Sequence, residues 1–406
     1  MSAIITVYLI VILTIYIGVA AGRIPGLRMN RTTITIVGAA VLIAIGAINE
    51  KQAFAAIDLG TIVLLFSMMV INAHLRLAGF FQVVGYRTLL LARSPQMLLA
   101  LIIGASGLFS ALFLNDPVCL LFTPLVIDLT VSAKRDPIPY LLGLATAANV
   151  GSTATITGNP QNLIIGQASG ISYLTFLLHL GPIALIGLFV CWIVIIRLYP
   201  AEFSGLLPPI ALAAPRPYRP LFWRATLVVI GLLIAYLIGL PTASAALVAA
   251  GVLLISRLRP KRIFDLIQWD LLVFFAALFI VTGAIETTGL SDRLFSLLAP
   301  ILHSGLFGLS AITALLSNIV SNVPAVLLLR PVIASFANPQ QGWLALAMAS
   351  TLAGNMTVLG SVANLIVVEI AGQRQVMISF RTYLRAGVAI TIMTLVVGIL
   401  WLSIFP

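Results

Sequence analysis

Long apolar stretches separated by short polar clusters dominate the chain. Residues 3–22, 60–75, 172–196, 223–239, 242–255, 269–284 and 384–404 are the clearest, and their recurrence predicts a bundle of membrane-crossing helices. The first stretch has no basic flank ahead of it, and Ala20-Ala21-Gly22 leads into further apolar segments. It therefore reads as a first helix rather than a signal peptide. Elsewhere the apolar pattern is interrupted by Gly, Asn, Ser and Thr rather than by charge, at 113–117, 149–162, 320–324 and 352–364. The flanks of 149–162 and 352–364 are too apolar for loops, and their centres are too rich in these residues for continuous helix. Both read as helices broken at mid-membrane. The expectation is an all-α polytopic membrane protein with about 10–11 membrane segments.

Composition agrees with this reading. Of 406 residues, 61% are apolar and 8% charged, far too little charge to cover a soluble surface. The net charge of +11 does not point to nucleic acid, because the basic residues sit in short loops and follow the positive-inside rule. Arg23, Arg28 and Arg31 place the first loop inside and the N-terminus outside. Arg76, Arg87, Arg93, Lys134, Arg135, Arg216, Arg219, Arg224, Arg257, Arg259, Lys261, Arg262, Arg374, Arg381 and Arg385 also fall inside. The balanced loop with Glu50, Lys51 and Asp58 and the uncharged stretch 166–172 fall outside. This alternation holds only if two segments, about 96–134 and about 304–338, enter and leave on the same side as re-entrant helical hairpins. The broken helices then cover about 138–168 and about 342–371. A Pro/Arg-rich cytoplasmic linker at 200–222, with Pro200, Pro208, Pro209, Pro215, Pro217 and Pro220, joins halves 1–199 and 223–406. Both termini are expected outside a bacterial-type inner membrane.

An internal repeat relates the halves. Leu114-Asn115-Asp116-Pro117 matches Ser321-Asn322-Val323-Pro324, each followed by a second proline, Pro124 or Pro331. Thr155-Ile156-Thr157-Gly158 with Asn162 matches Thr357-Val358-Leu359-Gly360 with Asn364. Ile171-Ser172 matches Ile378-Ser379, Asp58-Leu59 matches Asp270-Leu271, and Gly79 matches Gly289. The halves enter the membrane from opposite sides, the inverted-repeat plan of many secondary transporters.

The repeated motifs carry the candidate chemistry. A proline just after a polar residue starts a helix well, so each hairpin tip can cap a helix and still face a ligand. Broken helices offer free N–H groups to an anion or polar solute, and free carbonyls to a cation. Small-residue packing explains Gly151 and Gly354 but not the run Asn159-Pro160-Gln161-Asn162. The candidate substrate-binding residues are Asn115, Asp116, Thr157, Gly158, Asn159, Gln161 and Asn162 in the first half. In the second they are Asn318, Ser321, Asn322, Asn355, Gly360, Ser361 and Asn364. Asp116 is also the candidate for ion coupling, since an acid at membrane depth is costly unless it works; a cap on its own helix is the plainer alternative. Asp128, Glu286 and Glu369 are expected near interfaces or in salt bridges, and His74 is expected to be structural. Cys119 and Cys191 lie in apolar runs and read as buried thiols, without disulfide or metal spacing. No Walker loop and no nucleophile–base set stands out, which argues against ATP drive and against an enzyme, and no cofactor or metal is expected.

Asn115-Asp116 with Leu120 and Thr123-Pro124 resembles the hairpin segment of arsenite-efflux permeases of the ArsB type. Gly158-Asn159-Pro160-Gln161-Asn162 resembles an element of the wider ion transporter superfamily, and fits its anion-permease branch. Ile378-Ser379 with Tyr383 and Arg385 resembles the arsenite-permease C-terminal segment. The resemblance implies a scaffold part and a moving part, the latter holding two hairpins and two broken helices and shifting like an elevator. It maps binding positions onto Asn115, Asp116, Asn162, Asn322 and Asn364. Family members occur as homodimers, and no face of this sequence marks one. The expected function is efflux of arsenite or antimonite, or of an inorganic anion, coupled to a proton gradient. A sodium/proton antiporter and a sodium-coupled organic or sulfur anion symporter are the alternatives. Partners are then the small solute, H+ or Na+ and the lipid bilayer, with no nucleic acid.

Overall fold

The computed structural model describes residues 3–22, 26–207, 214–256, 258–302 and 304–405. Arg23, Pro208, Pro209 and Arg257 of the expected loops lie outside the described residues. The first half contains α1 (Ala3–Ala21), α2 (Arg31–Ala44), α3 (Glu50–Ala56), α4 (Leu59–Ala78), α5 (Phe80–Leu89), α6 (Pro95–Leu112), α7 (Asn115–Ser132), α8 (Pro137–Ser152), α9 (Pro160–Ser169) and α10 (Tyr173–Leu198). The second repeats that order with α11 (Arg219–Leu237), α12 (Thr242–Leu254), α13 (Pro260–Phe264), α14 (Trp269–Thr287), α15 (Leu290–Leu302), α16 (Leu306–Val320), α17 (Asn322–Leu329), α18 (Pro339–Ala353), α19 (Val362–Gln373) and α20 (Phe380–Ile404). Short 3-10 turns at Arg330–Ser335 and Val358–Gly360 are the additions. Among the described residues eight helices are long and apolar enough to cross a membrane, and the other apolar helices are shorter.

Local chemistry explains the repeat. Ser172 caps α10 by accepting from Thr175 N at 3.0 Å, and Ser379 caps α20 by accepting from Thr382 N at 3.1 Å. In both, the Ser and Thr hydroxyls lie 2.7 Å apart. Each cap is worth about 1 kcal/mol, so the matched Ile-Ser pairs are helix starts. Gly79 and Gly289 both adopt left-handed backbone (φ 76° and 71°), which lets α4 turn into α5 and α14 into α15. The Asp58 and Asp270 pair has diverged. Asp58 caps α4 through Thr61 N at 2.9 Å, whereas Asp270 lies inside the first turn of α14.

Packing follows the same two-fold plan. α2 packs on α14 and α12 on α4, so the halves interlock. In each half the first hairpin helix packs on the helix that precedes the break, α6 on α8 and α16 on α18. The α6–α8 crossing is close because Gly151 lies against Gly107; a Cβ on Gly151 would sit 2.2 Å from Gly107 O. The hairpin base is tied to the linker by Arg135, whose guanidinium donates to Glu202 O (3.0 Å), Ser204 O (3.2 Å) and Leu206 O (2.7 Å). Asp128 pairs with Arg374 at 2.6 Å, and buried His74 holds a ring nitrogen 2.8 Å from Val70 O.

Candidate functional site

A cavity of about 530 Å³ lies where four helices begin. Asn115 and Asp116 start α7, Pro160 and Gln161 start α9, Ser321 to Val323 lead into α17, and Ser361 and Val362 lead into α19. The opposite wall is Arg31 and Thr32 at the start of α2, with residues 267–271, Phe274 and Phe275 around the start of α14. Gln268, Trp269 and Asp270 are exposed, so the cavity opens at the end of the bundle where α2 and α14 begin. Helix starts direct a partial positive charge into this space.

Each hairpin tip is docked on the break of its own half. Asn115 N donates to Gly158 O at 3.0 Å. In the orientation that satisfies its neighbours, the Asn322 amide nitrogen donates to Gly360 O and Ser350 O, both at 3.2 Å. The breaks are held by matched clamps. Asn162 Nδ2 donates to Ser152 O (3.1 Å) and Thr155 O (2.9 Å); Asn364 Nδ2 donates to the equivalent Gly354 O (2.8 Å) and Thr357 O (3.1 Å). These amides take up carbonyls that the interrupted helices leave free, which would otherwise cost about 1–3 kcal/mol each when buried. Gly158 and Gly360 allow the close approach: a Cβ would meet Ser152 O at 2.2 Å in one and Gly354 O at 2.8 Å in the other.

Two buried side chains tie the halves across the centre. Asn149 accepts from Asn115 Nδ2 (3.0 Å) and Ser361 Oγ (2.9 Å), and donates to Asn355 Oδ1 (2.9 Å) and Asn364 Oδ1 (3.0 Å). Thr351 holds the equivalent place in the second half. Its hydroxyl accepts from Asn159 Nδ2 (3.1 Å) and Gln161 Nε2 (3.2 Å) and donates to Asn162 Oδ1 (3.4 Å). A saturated network of this kind fixes four helix starts relative to one another before any solute arrives.

Of the sequence candidates, Asn115, Asp116, Gln161, Ser321, Asn322 and Ser361 line the cavity. The others stand behind its wall. Thr157 faces Tyr173 Oη at 3.4 Å, Asn159 caps α9 through Asn162 N at 2.9 Å, and Asn355 Nδ2 donates to Thr146 O at 3.1 Å. Asn318 donates to Ala314 O and Ala353 O, both at 3.0 Å, and so joins α16 to the second break. Gly158, Gly360, Asn162 and Asn364 form the clamps just described. Sequence reasoning missed Asn149 and Thr351 as hubs, although each lies six residues before the matched Thr155 and Thr357. It also missed the wall of Thr32, Gln268, Trp269, Phe274 and Phe275, which carries no motif.

Comparison with known proteins matches this architecture. The citrate transporter family (CitMHS) matches residues 8–353. The silicon efflux transporter LSI3 of Oryza sativa subsp. japonica is 32% identical over 85% of this chain and 86% of its own. A Dictyostelium discoideum protein that carries the name arsB is 23% identical over 92% of this chain and 87% of its own. The structure of the Alcanivorax borkumensis YdaH transporter shares the fold, with a TM-score of 0.58 and 13% identity over 99% of this chain and 98% of that one. A multi-pass helical chain with two repeated halves, four helix starts around one cavity and these relatives is a membrane transporter, not an enzyme, and belongs to the CitMHS family within the ion transporter superfamily.

Proposed function

We propose that this transporter exports a small, neutral, polyhydroxylated metalloid acid, arsenite or antimonite, in exchange for protons across the inner membrane. The observation that carries the reading is the chemistry of the cavity. Amides of Asn115, Gln161 and Asn322, hydroxyls of Ser321 and Ser361 and four helix starts surround it. The amides and hydroxyls both donate to and accept from hydroxyls and the helix starts donate, which suits a compact acid that is undissociated at neutral pH. Its charged lining is one arginine, Arg31, and two acids, Asp116 and Asp270. That balance disfavours a triply charged citrate, which needs several fixed cations. The name of the rice relative, a silicon efflux transporter, supports a neutral hydroxylated solute.

Asp116 takes the coupling role. It is the acid at a hairpin tip that lines the cavity, so the proton and the solute share one space. The hairpins α6–α7 and α16–α17, with the broken helices behind them, form the part that shifts in an elevator-like cycle against the scaffold. Both termini lie outside in this reading. The same position of Asp116 favours a sodium/proton antiporter as the second reading.

The test is a proteoliposome panel of arsenite, antimonite, silicic acid, sodium, sulfate, succinate and citrate, with and without a pH gradient. Arsenite or antimonite flux that rises with the gradient is expected. Sodium-for-proton exchange without metalloid flux moves the assignment to the second reading, and flux of citrate or succinate alone overturns both. In an arsenite-sensitive host, Asn115→Ala and Asn322→Ala should each abolish resistance. Full resistance in both overturns the site.

A further inference from the structure

We infer that the groove between α5 and the start of α11 binds the headgroup of an anionic phospholipid. The groove is about 1230 Å³, larger than the roughly 300–1,000 Å³ of small-molecule pockets. Arg87, Arg216 and Arg219 line it, no carboxylate does, and Phe222 and Trp223 complete its wall. All three arginines are exposed, and among the described residues none of them is in an ion pair. The wall is built rather than draped. Tyr218 N donates to Ala78 O at 3.2 Å, and Pro217 lies against the α4–α5 corner, where a Cβ on Gly79 would meet its Cα at 3.5 Å. Guanidinium groups grip a phosphodiester in bidentate fashion, and the apolar wall faces the depth of the acyl chains. Free phosphate offers the same anion without the chains, so the groove is committed to the lipid by its aromatic and valine wall. The test uses purified protein in detergent, titrated with short-chain phosphatidylglycerol, phosphatidylcholine and inorganic phosphate, and read by Trp223 fluorescence and native mass spectrometry. Phosphatidylglycerol should bind at least tenfold tighter than either competitor. The triple change Arg87→Gln, Arg216→Gln, Arg219→Gln should weaken it about a hundredfold. Equal binding of phosphatidylcholine, equal binding of phosphate, or an unweakened triple variant with an unchanged melting profile overturns the proposal.

A separate observation, resting on the alternating-access reading, assigns the contact that closes the cavity. The halves are in different states. At the far end from the cavity, α9 packs along α4, and Gln167 Nε2 donates to Thr242 Oγ1 at 2.8 Å, tying the end of α9 to the start of α12. At the cavity end, the equivalent helices α19 and α14 face each other across open space. The repeat identifies the residues that would meet there. Asn162 pairs with Asn364, so Gln167 corresponds to Glu369. Val37-Gly38-Ala39-Ala40-Val41-Leu42 aligns with Val248-Ala249-Ala250-Gly251-Val252-Leu253, so Thr242 corresponds to Arg31. Arg31 lines the cavity, Glu369 is exposed, and among the described residues neither is in an ion pair. We propose that exchange of the two states joins Glu369 to Arg31 as an ionic latch, where the other end uses a neutral hydrogen bond. Arg31→Glu and Glu369→Arg should each slow transport at least tenfold with melting unchanged, and the double reversal should recover to within about threefold. A double variant no better than the worse single overturns the latch. A readout independent of substrate is mercury cross-linking of an Arg31→Cys, Glu369→Cys pair in vesicles. Absence of a cross-link under every gradient tested overturns it even if transport itself is found.

Discussion

The two halves use the same residues to hold the backbone and different residues to face the cavity. Asn162 and Asn364 make the same two bonds across the same break, and Ser172 and Ser379 make the same cap. At the cavity wall the first half presents Asp116 and Gln161 where the second presents Val323 and, buried at the foot of α19, Ala363. Symmetry is kept in the clamps, in the helix caps and in the Asn115 and Asn322 pair at the cavity, and it is lost at Asp116 against Val323 and Gln161 against Ala363. A repeated motif therefore marks a structural joint first.

That contrast can be broken by experiment. The largest effect should come from Asp116→Asn, which is expected to abolish gradient-driven flux while leaving solute exchange measurable in proteoliposomes. Moving the acid across the axis, Asp116→Val with Val323→Asp, should not restore coupling; if it does, the two tips are interchangeable. Next comes Asn149→Ala, which strands four buried partners and should destabilise the protein by about 3–5 kcal/mol, read as unfolding in detergent. Thr351→Val should cost less, about 1–2 kcal/mol, because the threonine contributes one hydroxyl. The break glycines give a graded pair. Gly158→Ala should cost about 2–3 kcal/mol and Gly360→Ala about 1 kcal/mol, following the tighter approach at Gly158. The smallest change is Gln167→Ala, worth about 1 kcal/mol of bias between the two states and visible as altered labelling of a cysteine placed at Val362.

Much of the fold was legible because membrane insertion leaves long apolar runs. Leu114 to Pro117 and Ser321 to Pro324 could be paired by eye, and the helix starts fall there. The role of Asn162 and Asn364 was not legible as a clamp. Their partners are backbone carbonyls, which carry no side-chain signature and become free only when the helix breaks. Asn149 was hidden for a related reason: it sits within continuous α8, and its four partners come from both halves. The α2 and α14 wall of the cavity was unreadable, since Trp269, Phe274 and Phe275 look like any membrane-helix residues until α2 is laid across α14.

The interlock of α2 with α14 and of α12 with α4 has a consequence for how such a chain can be taken apart. Much of the cover of each α4-type helix comes from the other half, α11 and α12 on α4 and α2 and α3 on α14. Each half thus depends on the other for part of the packing around its own helices. Severing the gene within the linker and expressing both pieces together should thus give back a working transporter, and either piece alone should be degraded.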